Sequence, residues 1–199
     1  MICVPLVGPS MQQALANLPL AERYGDCVEL RVDLIEKPNL FRLLETASKP
    51  VIVTNRTKRE GGSFRGSEEE RIDVLRYAME LGADYIDIEA SSPKELLRSI
   101  LETPSKTKKI LSYHHFSLTP ENLMEYFAIM SETPADVIKI VTYAKDICDN
   151  IVIFNLLREA RKTDRKLISF CMGDLGEISR ILSIQMGSFL TFGSLGFGK

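Results

Sequence analysis

Eight short runs of apolar and β-branched residues recur along this chain of 199 residues, and longer amphipathic stretches separate them. The stretch from Glu68 to Leu81, for example, carries Ile72, Leu75 and Ala78 at the spacing typical of a helix with one buried face. This alternation predicts right-handed crossovers and a parallel sheet. The predicted strands are Ile2–Val7, Cys27–Val32, Pro50–Thr54, Tyr85–Ile88, Lys109–Tyr113, Val137–Val141, Lys166–Phe170 and Phe189–Phe192.

The number of strands and the length of the chain together favour an α/β fold of the (β/α)8 class, the parallel eight-stranded TIM barrel. A hydrophobic fraction of 45% is enough for one core, so we expect a single barrel domain spanning residues 1–199. A doubly wound open sheet is the alternative fold.

Residues suited to capping precede three of the predicted helices. Ser67 stands before Glu68, Ser92 and Pro93 stand before Lys94, and Thr119 and Pro120 precede Glu121. Serine and threonine hydroxyls accept hydrogen bonds from the first free amides of a helix, and proline suits its first turn. We therefore predict that helices begin at these three places.

The chain ends directly after the eighth predicted strand. Only residues Gly193 to Lys199 follow, so the final helix of a (β/α)8 barrel is missing and we expect the domain to be truncated there. These residues also fit the phosphate-loop pattern GxxxxGK. That loop needs a following Ser or Thr and a helix, so the pattern does not predict a nucleotide site.

Charge and cysteine content exclude several classes of protein. The 27 acidic and 25 basic residues nearly cancel, which gives no reason to expect nucleic acid or a membrane surface as a partner. Four scattered cysteines form no CxxC pair. The N-terminus lacks the basic start of a signal peptide, and no run reaches ~18 apolar residues. We therefore expect a cytoplasmic protein with reduced thiols.

Polar and charged residues are concentrated where the predicted strands end. In a parallel barrel, the carboxyl ends of the strands carry the active site, so these residues indicate a pocket for a small, hydroxylated, anionic substrate. The two-residue period of a strand places Glu29, Arg31 and Asp33 on one face, and likewise Asp87 and Glu89. The other candidates are Arg56, Glu60, His114, His115 and Lys139.

Lys139 lies between β-branched residues within the strand Val137–Val141. Desolvation favours the neutral amine, which is the form able to attack a ketone. The alternative is a lysine that extends to solvent or pairs with Asp87 or Glu89.

The only two histidines of the chain, His114 and His115, are adjacent at the end of the fifth predicted strand. Neighbouring strand residues point to opposite faces, so at most one of them faces the barrel centre. This arrangement argues against a two-histidine metal site and suits a single general acid/base.

In combination, the motifs resemble those of type I 3-dehydroquinate dehydratase (3-dehydroquinase) from Ile2 to Phe192. The matching segments are Glu29-Leu30-Arg31-Val32-Asp33, Thr54-Asn55-Arg56, Glu60-Gly61-Gly62, Asp87-Ile88-Glu89, Ser112-Tyr113-His114-His115-Phe116, Val137-Ile138-Lys139-Ile140, Met172-Gly173-Asp174-Leu175-Gly176-Glu177-Ile178-Ser179-Arg180 and Thr191-Phe192-Gly193.

The resemblance implies a lyase without cofactor or metal that catalyses the syn dehydration of 3-dehydroquinate to 3-dehydroshikimate. This reaction belongs to the shikimate pathway, which leads to chorismate and the aromatic amino acids. By resemblance, Lys139 forms a Schiff base with the substrate, His114 is the general acid/base, and Glu60 orients the histidine. The choice of His114 over His115 rests on the Ser-x-His spacing.

The resemblance also implies binding residues and partners. Glu29, Arg31 and Arg56 match positions that hold ring hydroxyls, Arg180 matches the carboxylate-binding arginine, and Met172 and Phe192 match apolar walls. Family members are often homodimers, and some are fused ahead of shikimate dehydrogenase. The family usually continues with a loop that closes over the carboxylate, and its absence here predicts weaker binding and turnover.

Two other functions are compatible with the residues. One is a class I aldolase-like lyase that forms an imine with a sugar phosphate, with Gly193 to Gly198 near the phosphate. The other is a non-catalytic barrel that serves as an interaction module.

Overall fold

The computed structural model describes residues 1–196, so the last three positions of the GxxxxGK pattern lie outside the described residues. The strands are β1 Ile2–Leu6, β2 Cys27–Arg31, β3 Val51–Thr54, β4 Tyr85–Glu89, β5 Lys108–His114, β6 Val137–Tyr143, β7 Lys166–Met172 and β8 Thr191–Phe192. The helices are α1 Met11–Tyr24, α2 Leu40–Thr46, α3 Glu68–Glu80, α4 Lys94–Glu102, α5 Leu123–Ser131, α6 Asp149–Ala160 and α7 Glu177–Met186. Every predicted strand is present, with ends within two residues of the predicted ones.

The eight strands form one sheet in the order β7-β6-β5-β4-β3-β2-β1-β8. The strand pairs with a defined register are parallel, and a helix lies between consecutive strands throughout. This order and alternation confirm the predicted (β/α)8 class. After β8, residues 193–196 contain no helix. None of the helices in the described part of the chain is long and apolar enough to cross a membrane.

The described residues form two compact units. The first contains Met1–Ile88, Ser92–Lys109 and the residues from Phe192 onward. Its strand β3 is buried along its whole length, and α3 buries Ile72, Leu75 and Ala78. Continuous burial of this kind is expected of a parallel strand covered on both faces.

The second unit contains Glu89–Ser91 and Ile110–Thr191. Its strand β6 is buried from Val137 to Thr142, including Lys139. Parallel pairing with β5 on one side and β7 on the other satisfies the backbone groups of β6. A lysine in this strand is therefore held on a rigid element.

The helix starts confirm one predicted cap. Ser67 and Glu70 form a capping box, in which the Ser67 hydroxyl accepts from the Glu70 amide at 3.1 Å and the Glu70 carboxylate accepts from the Ser67 amide at 2.8 Å. Helix α3 accordingly begins at Glu68, as predicted.

Helix α4 begins at Lys94, as predicted after Ser92-Pro93, whereas the helix start predicted after Thr119-Pro120 is wrong. Helix α4 follows Pro93 without a side-chain cap, and the Ser92 hydroxyl accepts a hydrogen bond from Arg71 at 2.7 Å. Helix α5 begins at Leu123, later than predicted, and Thr119 donates to the Tyr143 carbonyl at 3.0 Å. Both hydroxyls thus bond to groups that are distant in sequence, which a local pattern does not predict.

Candidate active site

The residues predicted to form the site are divided between the two units. We use the name guanidinium–carboxylate cluster for those of the first unit, which are Glu29, Arg31, Arg56, Glu60 and Asp87. We use the name lysine–histidine cluster for those of the second unit, which are Glu89, His114, Lys139, Met172 and Arg180. Phe192 belongs to the first unit and is half-buried.

Strand β2 carries Glu29 and Arg31 on one face, as the two-residue period predicts. Glu29 is buried, and its carboxylate accepts a hydrogen bond from the hydroxyl of Thr54 on β3 at 2.8 Å. The bond joins two neighbouring strands and holds the Glu29 carboxylate in one orientation.

Asp33 does not continue the strand face of Glu29 and Arg31, contrary to the prediction. Strand β2 ends at Arg31, and Val32–Leu34 form a single 3-10 turn. This turn brings the Asp33 carboxylate back to Arg31, whose Nε and Nη2 donate to it at 2.9 and 2.8 Å. The same carboxylate accepts from the Ser63 amide at 3.0 Å, so it joins β2 to the connection after β3.

The guanidinium of Arg31 is held in its charged form. Burial acts to lower the pKa of Arg31, but the hydrogen bond with Asp33 and the negative charges of Glu29 and Asp33 outweigh burial and raise the pKa above its usual value. Arg31 is therefore a fixed cation with a fixed plane, which suits it to bind polar groups of a ligand.

Arg56 forms a buried ion network with two carboxylates. Its Nη2 lies 3.0 Å from Oδ2 of Asp87, and its Nη1 lies 4.0 Å from Oε2 of Glu60. Arg56, Glu60 and Asp87 are each at most 8% exposed. Buried charges need such partners, because an isolated ion in a low-dielectric interior is strongly destabilising.

The turn after Glu60 requires glycine at two positions. Gly61 has a φ of +73°, in the left-handed region that favours glycine. A Cβ on Gly62 would lie 2.0 Å from the carbonyl oxygen of Arg56. This close approach returns the chain to Arg56 and brings Glu60 near the guanidinium.

Lys139 is 4% exposed and lies on β6 between Ser112 of β5 and Ile168 of β7, its partners in the parallel register. Paired residues in a parallel sheet share a face, so Ser112 and Lys139 point to the same side. Ser112 and Ile168 are fully buried. The amine of Lys139 therefore lies in a region from which bulk water is largely excluded.

The two histidines lie on opposite faces of the sheet, as predicted. His115 is on the side of α5: its ring centroid is 6.5 Å from that of Tyr113, which stacks on Tyr126 of α5 at 4.6 Å. The Nδ1 of His115 accepts from the amide of Leu118 at 3.2 Å.

His114 points to the side of Lys139. It is two residues beyond Ser112, the register partner of Lys139, and therefore shares that face. A strand spacing of ~4.8 Å and a rise of ~3.3 Å per residue place the Cα atoms of His114 and Lys139 ~8 Å apart on adjacent strands. An imidazole and an amine on these positions can reach neighbouring atoms of one small molecule.

Arg180 lies on α7 rather than on a strand. Its guanidinium carbon is 5.2 Å from the centre of the Phe170 ring. Its Nε is buried and has no hydrogen-bond partner among the described residues. A buried donor without a partner is costly, so this N–H is available for an anionic ligand.

Three groups that hold the clusters in place were not predicted. Thr54 is the last residue of the predicted third strand and directly precedes Asn55-Arg56. Its position next to the candidate site residues could have indicated a supporting role such as its bond to Glu29. Ser63 acts through its backbone amide, which no side-chain pattern predicts. Arg71 follows three glutamates in α3, a context that indicates an exposed surface, yet it is fully buried.

Comparison with known proteins identifies the family. A family model described as type I 3-dehydroquinase matches residues 2–199. The chain belongs to the type I 3-dehydroquinase family. This confirms the resemblance read from the motifs, and type I 3-dehydroquinases catalyse a dehydration in the shikimate pathway.

Relatives of this type I 3-dehydroquinase include both separate and fused enzymes. A 3-dehydroquinate dehydratase of Methanococcus maripaludis is 38% identical over 98% of this chain and 90% of its own length. The bifunctional 3-dehydroquinate dehydratase/shikimate dehydrogenase of Arabidopsis thaliana is 40% identical; the match covers 100% of this chain and 34% of that protein.

A solved structure of the family has the same fold. The type I 3-dehydroquinate dehydratase of Clostridium difficile, crystallised with covalent modified comenic acid, superposes with a TM-score of 0.90 at 28% identity. The match covers 97% of this chain and 83% of that one.

Proposed function

We propose that this chain dehydrates 3-dehydroquinate to 3-dehydroshikimate through an imine between the substrate ketone and Lys139. The observation that carries the proposal is the placement of Lys139 and His114 on one face of adjacent strands, with Lys139 only 4% exposed. Family membership supplies the reaction, and this placement supplies a nucleophile and an acid/base for it.

The proposed chemistry proceeds in four steps. The Nζ of Lys139 attacks the ketone, and loss of one water leaves a protonated imine. His114 removes a proton from the adjacent carbon, and the electron pair of that C–H bond forms an enamine. The enamine expels the hydroxyl at the next carbon, which takes the proton from His114 and leaves as water. A second water hydrolyses the imine, restores the ketone and frees the amine.

The remaining residues of the two clusters have proposed binding and supporting roles. Arg180 binds the substrate carboxylate, because its buried Nε–H has no partner among the described residues and a guanidinium matches a carboxylate. Glu60 orients the catalytic histidine. The proposed hydroxyl ligands are Glu29, Arg31 and Arg56, the proposed apolar walls are Met172 and Phe192, and the proposed supports are Asp87 and Glu89.

Borohydride trapping tests the proposal directly. Protein reduced with borohydride in the presence of 3-dehydroquinate is digested and mapped by mass spectrometry, and we expect one adduct, on Lys139. A phosphorylated ketose in place of 3-dehydroquinate is expected to give none. Folded protein that neither turns over 3-dehydroquinate nor forms the adduct would contradict the proposal.

Lys109 offers an internal control for this experiment. It is 7% exposed, nearly as buried as Lys139, but its ammonium donates to the carbonyls of Leu101 and Thr103 at the end of α4. We expect Lys139→Ala to lose the adduct and Lys109→Arg to keep it. An adduct on both lysines would show that burial alone, rather than the cluster, determines reactivity.

The predicted partners and location of this chain rest on its relatives and on its sequence. Fusion to shikimate dehydrogenase is seen in the Arabidopsis relative, whose name also places it in the chloroplast. For this chain, fusion, a homodimer and a cytoplasmic location stay predictions. Sedimentation equilibrium of the chain tests the dimer.

A further inference from the structure

Arg71 is a charged residue that the proposed chemistry does not use, although it is among the most buried side chains of the molecule. It lies in the first turns of α3 and is 0% exposed. Arginine is almost never fully buried unless it is paired, because removing its charge from water is costly. The contacts of its guanidinium therefore require an explanation.

The guanidinium joins three separate segments of the first unit. Its Nε and Nη2 donate to Oε2 of Glu68 at 3.1 and 2.9 Å, within α3. Its Nη2 also donates to the hydroxyl of Ser92, in the connection after β4, at 2.7 Å. Its Nη1 donates to the carbonyl of Asn55, directly after β3, at 3.3 Å.

Asn55 also donates a hydrogen bond to Arg71. It is 2% exposed, and its Nδ2 donates to the backbone carbonyl of Arg71 at 3.4 Å. The backbone at the end of β3 is thus tied to α3 by both residues. The residue that follows Asn55 is Arg56, and its orientation depends on the position of that backbone.

The segments that Arg71 joins carry the two ends of one ion pair. Arg56 follows Asn55, and Asp87, its partner at 3.0 Å, lies on β4, which leads into the connection containing Ser92. Arg71 therefore contacts the backbone next to Arg56 and the turn beyond Asp87. A shift of either segment would change the direction of the Arg56 guanidinium.

We propose that Arg71 is a positioning residue that fixes Arg56 for substrate binding by holding the connections after β3 and β4 together. The inference rests on the proposed function, in which Arg56 binds a ring hydroxyl. Only a planar fork supplies three donors in fixed directions, and a lysine offers a point charge on a flexible chain. A positive charge at position 71 is therefore not sufficient to hold the three segments in place.

Steady-state kinetics of Arg71→Lys and Ser92→Ala test the proposal. Both variants keep the charge of Glu68 compensated and leave the amino-acid identity of every residue of the two clusters unchanged. We expect KM for 3-dehydroquinate to rise about tenfold in Arg71→Lys, since small displacements of a binding group have large effects. We expect kcat to change less than threefold, because Lys139 and His114 are untouched.

Arg76→Lys is the matched control. Arg76 lies on the same helix and also donates to a carboxylate and a serine hydroxyl, Asp73 at 2.7 Å and Ser99 at 2.7 Å, but its side chain is 37% exposed. We expect its KM to match that of the unmodified chain. An equal rise in KM for Arg76→Lys would show that any such change in α3 weakens substrate binding, and it would overturn the proposal.

A purely structural role gives a different pattern. It predicts a lower folded fraction by circular dichroism, with KM unchanged for the folded molecules. That result in Arg71→Lys and Ser92→Ala would overturn the inference while leaving the proposed function intact. If the unmodified chain neither turns over 3-dehydroquinate nor forms the Lys139 adduct, the proposed function fails, and the inference fails with it.

Discussion

Two lysines of this chain are buried to nearly the same degree and have different surroundings. Lys109 donates to the Leu101 and Thr103 carbonyls at the end of α4, where a cation also complements the helix dipole. Lys139 lies in the middle of β6 with Ser112 and Ile168 as its register partners. The first arrangement stabilises a helix end. The second presents an amine on the face that also carries His114.

The two adjacent histidines give a sharp test at the residue scale. We expect His114→Ala to lower kcat by about 10²- to 10⁴-fold, the usual contribution of a general acid/base. His115→Ala is its matched control: it removes the acceptor of the Leu118 amide on the side of α5, which costs about 1 kcal/mol of stability and leaves kcat unchanged. Stopped-flow absorbance and urea unfolding measure the two quantities, and a larger kcat effect for His115→Ala would reverse the assignment.

Arg180 allows a second test at this scale. We expect Arg180→Met to raise KM by about 10- to 100-fold, because a charge-assisted hydrogen bond contributes ~1.5–3 kcal/mol. Its backbone carbonyl, which accepts from the Thr191 hydroxyl at 2.7 Å, remains in the variant, so the fold should be kept. Arg158→Met, at a side chain 65% exposed, serves as the control. Equal KM values for both variants would exclude Arg180 from binding.

At the scale of elements, the connection from Arg56 to Ser67 is held at several points. Its start is fixed by the Arg56 ion network, its middle by the bond between Asp33 and the Ser63 amide, and its end by the Ser67 capping box. Gly62 permits the tight return within it. The connection is therefore a defined structure, although it contains only one short 3-10 turn.

We expect Gly62→Ala to disturb this connection and lower kcat/KM by about 100-fold, because the new Cβ would displace the Arg56 backbone and the Glu60 carboxylate with it. Gly82→Ala is the control: Gly82 has a φ of +83°, but no neighbouring atom of the described residues would lie within 4 Å of the new Cβ. We expect this variant to lose about 1–2 kcal/mol of stability and no activity. Activity and thermal unfolding of both variants separate the two effects. Full activity of Gly62→Ala would contradict the role given to this turn.

The positions of helices and strands were predictable from the sequence where a local pattern determines them. The tertiary contacts that these elements make were not predictable. The capping box at Ser67 is a local motif, so it was predicted correctly. Ser92 and Thr119 match the same pattern, but their partners, Arg71 and Tyr143, are distant in sequence. In helix α7 the pattern of hydrophobicity points the wrong way. The helix buries Ser179 and Ser183, while Ile181 is 70% exposed, so hydrophobicity alone would have placed the serines on the exposed face and the isoleucine on the buried face.

At the scale of the whole molecule, the prediction of a single domain can be tested by unfolding. Because the eight strands belong to one sheet, we expect both compact units to unfold in one cooperative transition. Each unit contains three of the six tyrosines, so tyrosine fluorescence reports on both. Hydrogen exchange resolves them separately, and different urea midpoints for α3 and α6 peptides would show two domains.

The fold class was predictable from the sequence because eight strand runs separated by helical patterns leave few alternatives. The candidate residues followed from the strand ends and from the family resemblance. Their mutual geometry was not predictable: the return of Asp33 to Arg31 through a 3-10 turn depends on where β2 ends, and sequence patterns set such boundaries only loosely. The burial of Arg71 was not predictable because it depends on three segments that are distant in sequence.

The burial of Lys139 has a consequence for covalent chemical probes. Acylating reagents select amines by accessibility, so they will label the exposed lysines of this chain before a side chain that is 4% exposed. A selective ligand must instead be a carbonyl compound small enough to enter beside β6 and shaped to be retained there. For this chain, discrimination by a covalent inhibitor will depend on the fit of the molecule before the bond forms, and little on the intrinsic reactivity of its warhead.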